Sequence, residues 1–375
     1  MRIVHLGPTS LPLGNAYGGA VERRMLELAA VQASAGNNVL LVSASPQRSG
    51  LRFLRGLEVW DVRCHAKRPW RDLEFLARSR AVTRTFRPDV VHVHNNWAGA
   101  ALLRGVPAPK LLSFDFFEYR GSGKLVFKSV YRNALRMFDL LLPVSEYCHR
   151  EAVSWWSLPS ERFRVVPNGV NINMFQPDAD RRQAARVRYG VNDRLVVGYV
   201  GRVCRQKGSD VLVEAFSKLR QTCPAATLLV AGPSGQFGRQ GGSDLTEAIA
   251  TTGGQWLGAV PDEELSDVFR SLDIFVMPTR QYEMFGMAAA EALSCGTMVV
   301  CSDLGGLPEV VPRSAGVLVR PGDVAALAEA LEALLADPQA IAQYAEAAPG
   351  AAARYAWPRV AQAADDAYRL AMSTA

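Results

Sequence analysis

A chain of 375 residues with 49% hydrophobic and 21% charged positions is too long for one core and too apolar for disorder, so two globular domains are expected. The net charge of +6 is uneven: residues 1–170 hold 24 Lys/Arg against 13 Asp/Glu, while 171–375 hold 18 against 23. Six scattered cysteines without a C-x-x-C pair argue against a disulfide framework or a structural zinc site and fit a reducing cytosol. No apolar run approaches the ~20 residues of a membrane span.

The order of elements begins with an apolar run at Ile3–Leu6, too brief for a signal peptide and read as a first strand. Helical spacing follows at Ala20–Ala35 and Leu73–Phe86. Further strands are expected at Val39–Ser43, Leu57–Arg63, Val90–His94, Lys110–Phe114 and Leu140–Val144. The Pro-, Asn- and Gly-rich segment Pro167–Pro177 reads as a linker. The pattern then restarts at Leu195–Val200, Thr227–Ala231, Ile274–Met277 and Thr297–Cys301. The stretch Gly232–Gly242 reads as a loop, and Asp323 as the N-cap of an Ala-rich helix. Trp357-Pro358 is expected to break this region before a last helix, Arg359–Met372. Strand–helix alternation in two series predicts an α/β protein with two doubly wound parallel sheets. Ligands of such sheets bind at the carboxyl ends of the strands, so the chemistry is expected in a cleft between the domains.

Glu283-Met284-Phe285-Gly286-Met287-Ala288-Ala289-Ala290-Glu291 follows one of these strands. A helix starting near Gly286 would leave Glu283 in the loop before it and Glu291 just over one turn inside. Free backbone N–H groups at a helix start suit a diphosphate, and Gly286 lets the backbone approach it. Carboxylates repel phosphate but accept hydrogen bonds from sugar hydroxyls. Taken alone, such a pair is more often a loop acid and a solvated helix residue. It is accompanied by Gly201-Arg202-Val203-Cys204-Arg205-Gln206-Lys207-Gly208, which puts Arg202 and Lys207 at another strand end. Two cations there can neutralise a diphosphate leaving group as its charge develops. Gly305-Gly306-Leu307-Pro308-Glu309 reads as a glycine turn with a structural role. His92 and His94 end the Val90–His94 strand; His92 reads as a core histidine, and His94 as a candidate for the cleft.

The combined pattern resembles the GT-B glycosyltransferases, specifically family GT4. It consists of Pro167-Asn168-Gly169-Val170-Asn171, Gly201-Arg202 with Lys207-Gly208, Glu283 with Glu291-Ala292-Leu293-Ser294-Cys295-Gly296, and Gly305-Gly306 with Pro308-Glu309. The resemblance implies two Rossmann-like doubly wound domains with an interdomain cleft. The N-terminal, acceptor-binding domain would cover 1–166, a linker 167–178 and the donor-binding domain 179–356. A terminal helix at 357–375 would cross back towards the first domain. It also implies a retaining enzyme that moves a hexose-type sugar from a nucleotide-diphosphate-sugar to an acceptor hydroxyl, the leaving phosphate itself taking the acceptor's proton. Arg202 and Lys207 would bind the diphosphate, Glu291 the ribose, and Glu283 the transferred sugar, with backbone N–H groups of Phe285, Gly286 and Met287 nearby. Gly18 and Gly19 resemble the family's glycine loop facing the donor phosphate. Three positions depart from the family pattern: Met284, Met298, and Asp115 in Ser113-Phe114-Asp115, where many members have Thr-x-His. Asp115 and His94 are therefore candidates for the sugar or acceptor side of the site.

No cofactor or metal is expected beyond the nucleotide-sugar co-substrate, because side-chain cations take the diphosphate and no D-x-D pair stands out. The basic stretches Lys67-Arg68-Pro69-Trp70-Arg71 with Arg78, Arg80, Arg84 and Arg87, and Arg120, Lys124, Lys128, Arg132 and Arg136 with Leu125, Val126 and Phe127 interleaved, fit contact with anionic lipid. Lipopolysaccharide, exopolysaccharide or other glycoconjugate synthesis is thus expected, in the cytoplasm or at the inner face of the plasma membrane, on a sugar or lipid-linked acceptor. The alternatives are transfer to a small-molecule natural product, a nucleotide-sugar epimerase, or a non-catalytic sugar-nucleotide binding protein. Nucleic acid is not an expected partner, since no recognised motif accompanies the pI of 9.1 and the second half is acidic. A dinucleotide-dependent dehydrogenase lacks its G-x-G-x-x-G turn.

Overall fold

The computed structural model describes residues 1–9, 11–14, 19–66, 70–114, 125–235 and 243–374, the side chains of 125–127 and 243 apart. The chain divides into two compact units, Met1–Gly169 with Trp357–Ala375, and Val170–Ala356. Both are parallel-sheet α/β domains.

In the first unit, β1 (Arg2–Leu6), β2 (Asn38–Ser45), β3 (Gly50–Leu54), β4 (Leu57–Arg63), β5 (Val90–His94), β6 (Lys110–Phe114) and β7 (Leu140–Pro143) form one sheet. Its order is β3-β4-β2-β1-β5-β6-β7. The central strands are near-continuous apolar runs because helices cover both faces of a parallel sheet. β3 is antiparallel to β4 and was not expected from the sequence. Its residues alternate in exposure, Leu51 and Phe53 facing outward, while Arg52 bonds Asp61 at 2.7 Å. An edge strand with an arginine turned inward does not read as an apolar run.

The last helix, Trp357–Thr374, is separate from the helix before it, as expected; the break falls at the 3-10 turn Ala353–Tyr355, just ahead of Trp357-Pro358. Proline in the first turn gives up an N–H that has no intrahelical partner there, so it starts this helix rather than interrupting it. Val360, Ala364, Tyr368 and Ala371 pack with Leu28 and Ala29 of the helix Ala20–Ser34 in the core of the first unit.

In the second unit, β8 (Leu195–Val200), β9 (Ala226–Ala231), β10 (Gln255–Trp256), β11 (Ile274–Met277), β12 (Met298–Ser302) and β13 (Gly316–Val319) are ordered β10-β9-β8-β11-β12-β13. All strand pairings of this sheet among the described residues are parallel. The switch point lies between β8 and β11, which are neighbours although β9 and β10 separate them in sequence. There the connections leave the sheet in opposite directions, the place where open α/β sheets form a crevice. Met298, one departure from the family pattern, is fully buried in β12 among core residues. Asp323 caps the helix Val324–Leu335 by accepting from Ala326 N–H at 3.0 Å. No helix among the described residues is long and apolar enough to cross a membrane.

Candidate functional site

The carboxyl ends of β8 and β11 bring together the two loops singled out by the motifs. After β8 the chain passes Gly201-Arg202, makes a 3-10 turn at Arg205–Lys207 and enters the helix Ser209–Thr222 at Gly208. After β11 it runs from Pro278 to Gly286 and enters the helix Met287–Ser294. Gly208 has φ +75°, and a Cβ there would fall on the Pro278 carbonyl oxygen. Only glycine permits both that backbone conformation and that approach. The loops are further tied by Arg280 N–H to the Gln206 carbonyl at 3.2 Å. Arg280 also meets the Asp210 carboxylate at 3.0 Å.

The link of chemical interest is Lys207 Nζ to Glu283 Oε2, 2.7 Å apart, with side chains 23% and 14% exposed. Lys207 and the first glutamate of the motifs therefore neutralise each other across 76 residues of sequence. The backbone at Glu283 is held from beneath. Gly306 N–H donates to the Glu283 carbonyl at 2.8 Å, and Gly305, at φ +66°, passes so close that a Cβ would collide with that oxygen. The Gly305-Gly306 turn is thus structural, and its work is to seat Glu283. Tyr282, immediately before, sits at φ 44°, a conformation uncommon for a bulky residue and often found near functional sites.

Arg202 lies half-buried at the β8 end. Its carbonyl accepts from the Tyr199 hydroxyl at 2.7 Å. Burial pushes the Tyr199 phenol well above its ordinary value, so it remains a donor. Tyr199, Asp210 and Arg280 are supports that motif reading missed. Their only sequence signal was adjacency to Arg202, Lys207 and Glu283.

Phe285 is buried and stacks edge-on against Tyr355 at 4.9 Å. Gly286 is the N-cap, and its carbonyl accepts from Ala289 and Ala290 N–H at 3.0 and 3.1 Å. The N–H groups before these have no acceptor within the helix, the arrangement that suits an anion at a helix start. Glu291 is buried within the helix rather than solvated on its surface. Met284 is buried, and its carbonyl lies so close to Gly306 that a Cβ there would collide with it.

In the first unit, Gly19 is the N-cap of the helix Ala20–Ser34, its carbonyl accepting from Arg23 N–H at 3.0 Å. Gly18 and Asp115 lie outside the described residues, as do Lys67–Pro69, Arg120 and Lys124. His94 is fully buried and does not present its ring to solvent. It belongs to a buried group with His5 and His92 that the motifs did not single out.

That group is a hydrogen-bonded ladder. Gln32 Nε2 donates to Asp365 Oδ1 at 2.7 Å. Gln32 Oε1 is then the acceptor for His5 Nε2 at 2.8 Å, and His5 Nδ1 the acceptor for His94 Nε2 at 3.0 Å. His92 lies between the Tyr368 hydroxyl and Ser113 Oγ, each at 2.6 Å. Burial lowers all three imidazole pKa values, His5 to about 4. The three histidines each offer a nitrogen within 4.8 Å of the others. The His92 and His94 rings stack at 4.1 Å and 26°, and both His5 nitrogens, both His92 nitrogens and His94 Nε2 are already engaged in the hydrogen bonds above.

Known proteins match both units. Residues 17–174 match the family described as Glycosyltransferase Family 4, and residues 194–337 the one described as Glycosyl transferases group 1. An alpha-maltose-1-phosphate synthase of Mycolicibacterium smegmatis is 30% identical over 328 residues, covering 80% of this chain and 81% of that protein. A D-inositol 3-phosphate glycosyltransferase of Corynebacterium jeikeium is 34% identical over 240 residues, 61% of this chain. The match spans only 57% of that relative's own length. Among solved structures, a sucrose-phosphate synthase of Thermosynechococcus elongatus superposes with a TM-score of 0.84 at 22% identity, over the whole of both chains. The HepE protein of Anabaena in complex with UDP and glucose gives 0.77 at 20% identity, over 98% of this chain and 99% of that one. At these identities the structures establish a shared GT-B fold.

Proposed function

Since the chain belongs to glycosyltransferase family 4, the group 1 glycosyl transferases, we propose that it transfers a hexose from a nucleotide-diphosphate-sugar to an acceptor hydroxyl with retention at the anomeric carbon. The observation that carries this reading is the meeting of Lys207, Glu283 and the Gly286 end of a helix at the β8–β11 switch point. A cation and unpaired backbone N–H groups suit the diphosphate, and the carboxylate suits sugar hydroxyls. Arg202 is the second cation for the diphosphate, and Glu291 takes the ribose. The leaving phosphate accepts the acceptor's proton on the face it departs from, so the protein contributes position and charge stabilisation. This reading needs no metal.

The acceptor is lipid-linked or a glycoconjugate, bound in the cytoplasm at an anionic membrane surface. Support comes from the first unit's basic surplus and from the helix Trp70–Phe86, which exposes Trp70 at its start and Arg78, Arg80 and Arg84 further along. Val130 and Met137 are also exposed near Lys128, Arg132 and Arg136.

Thermal melts with UDP-, GDP-, ADP- and dTDP-sugars test the donor reading, because a ligand of the folded state raises the melting temperature with concentration. One donor class is expected to shift it and to be consumed only with acceptor, giving an axial or equatorial linkage that matches the donor's anomer by NMR. No shift with any of the four, or inversion, defeats the reading; consumption without acceptor points to epimerisation. Flotation with anionic against neutral vesicles tests the membrane surface, and equal recovery at low salt defeats that part.

A further inference from the structure

We propose that Glu283 gates Lys207, so that the site favours a nucleotide still carrying its sugar over the bare nucleoside diphosphate. This rests on the donor reading above and adds a discrimination to it. The ammonium of Lys207 is held by the Glu283 carboxylate at 2.7 Å, in surroundings that leave both side chains mostly covered. In such partly desolvated surroundings a charge pair is stronger than at an exposed surface. The loop that carries Glu283 is tied down at several points. The Glu283 carbonyl is bound by Gly306 N–H, Gly305 packs against it, and Arg280 pins the same loop to Gln206 and Asp210.

A bare diphosphate therefore meets a lysine already neutralised and a carboxylate of its own sign within reach of that lysine. It must take Lys207 from Glu283 and leave a mostly covered carboxylate beside it, which opposes binding. A sugar on the diphosphate reverses the balance. Its hydroxyls donate to Glu283 as the phosphates engage Lys207, and both halves of the broken pair gain a partner. The nucleotide left after a sugar has been passed on loses that compensation, Glu283 closes on Lys207 again, and release is promoted. Glu283 is thus a specificity-determining residue as well as a sugar contact.

Calorimetry with the full chain tests this. The nucleoside diphosphate among UDP, GDP, ADP and dTDP that binds most tightly, and its hexose derivative, are titrated into wild type, Glu283→Gln, Glu283→Asp and Lys207→Ala. Glu283→Gln is expected to bind the bare diphosphate roughly ten times more tightly, with the sugar form gaining less than about threefold. Glu283→Asp keeps the charge but is too short to hold Lys207 as closely, and is expected to tighten the bare diphosphate at least about threefold. The proposal is overturned if Glu283→Gln leaves bare-diphosphate affinity unchanged or weakens it, or raises both ligands equally. If Glu283→Gln fails to fold, the Glu283→Asp result decides by the same criterion. Lys207→Ala separates the two claims. If it binds the diphosphate as wild type does, the donor assignment itself falls. If it loses binding while the Glu283 variants show no gain, only the gate falls.

Discussion

Each unit has a polar cluster beside its central strands, and the two clusters are built on opposite terms. In the second unit, Lys207, Glu283, Asp210 and Arg280 are paired ions that remain partly exposed. In the first, His5, His92, His94 and Gln32 are fully buried, and their imidazoles are kept neutral by that burial. The ion pairs can exchange partners with an incoming anion, because solvent reaches them and each charge can find a new counter-charge. The imidazole ladder has no such freedom. It pairs buried donors and acceptors between strands β1, β5 and β6 and the helices Ala20–Ser34 and Trp357–Thr374, leaving His94 Nδ1 without a partner among the described residues, and a proton added to it would be a buried charge. In the proposed reading, charge is kept where a ligand is to be exchanged, and avoided where packing is to be fixed.

That contrast fails most visibly if the ions are dispensable. Lys207→Ala and Arg202→Ala are each expected to lower turnover ~100-fold or more, the ~2.7–4 kcal/mol scale of losing one charge-stabilising contact. Steady-state rates with the true donor check this, and near-normal turnover in either variant would remove the diphosphate assignment.

The buried cluster is challenged by pH. The unfolded chain has ordinary imidazoles near 6.5, whereas folded His5 titrates at about 4, with desolvation the main cause and nearby Arg24 adding to it. The folded pKa is depressed, so the unfolded state binds more protons once pH falls below about 6.5. Stability is therefore full above that value and is lost as pH falls towards 4. His5 alone accounts for roughly 2 kcal/mol between pH 7 and 5, with His92 and His94 acting in the same direction. Denaturant melts at the two pH values measure the loss, and His5→Gln should flatten the slope. A slope unchanged by that substitution would show that these imidazoles are not the neutral groups described.

A smaller effect sharpens the role of the supporting ions. Asp210 contacts no ligand in the proposed reading but receives Arg280 at 3.0 Å and Arg205 at 3.6 Å. Asp210→Asn is expected to cost about 1 kcal/mol, read as a ~5-fold rise in KM for the donor with kcat little changed. Glu at 210 should restore part of the affinity. An equal fall in kcat and kcat/KM would instead make Asp210 part of the transition-state contacts.

The sequence by itself determined the alternation of strands and helices, the division near residue 169, and the order of motifs from Gly201 to Glu309. Apolar periodicity, turn chemistry and caps act over a few residues, and most expected strands lie within a residue or two of their observed bounds. Only tertiary structure decided that Lys207 faces Glu283, because β8 and β11 become neighbours by a crossover that no local pattern encodes. The same holds for the Gly305 carbonyl approach at Glu283, the inward turn of Arg52 on edge strand β3, and the burial of His94 against His5 from another strand. Each joins segments far apart in the chain, and such pairings are fixed by how sheets order and close-pack their strands.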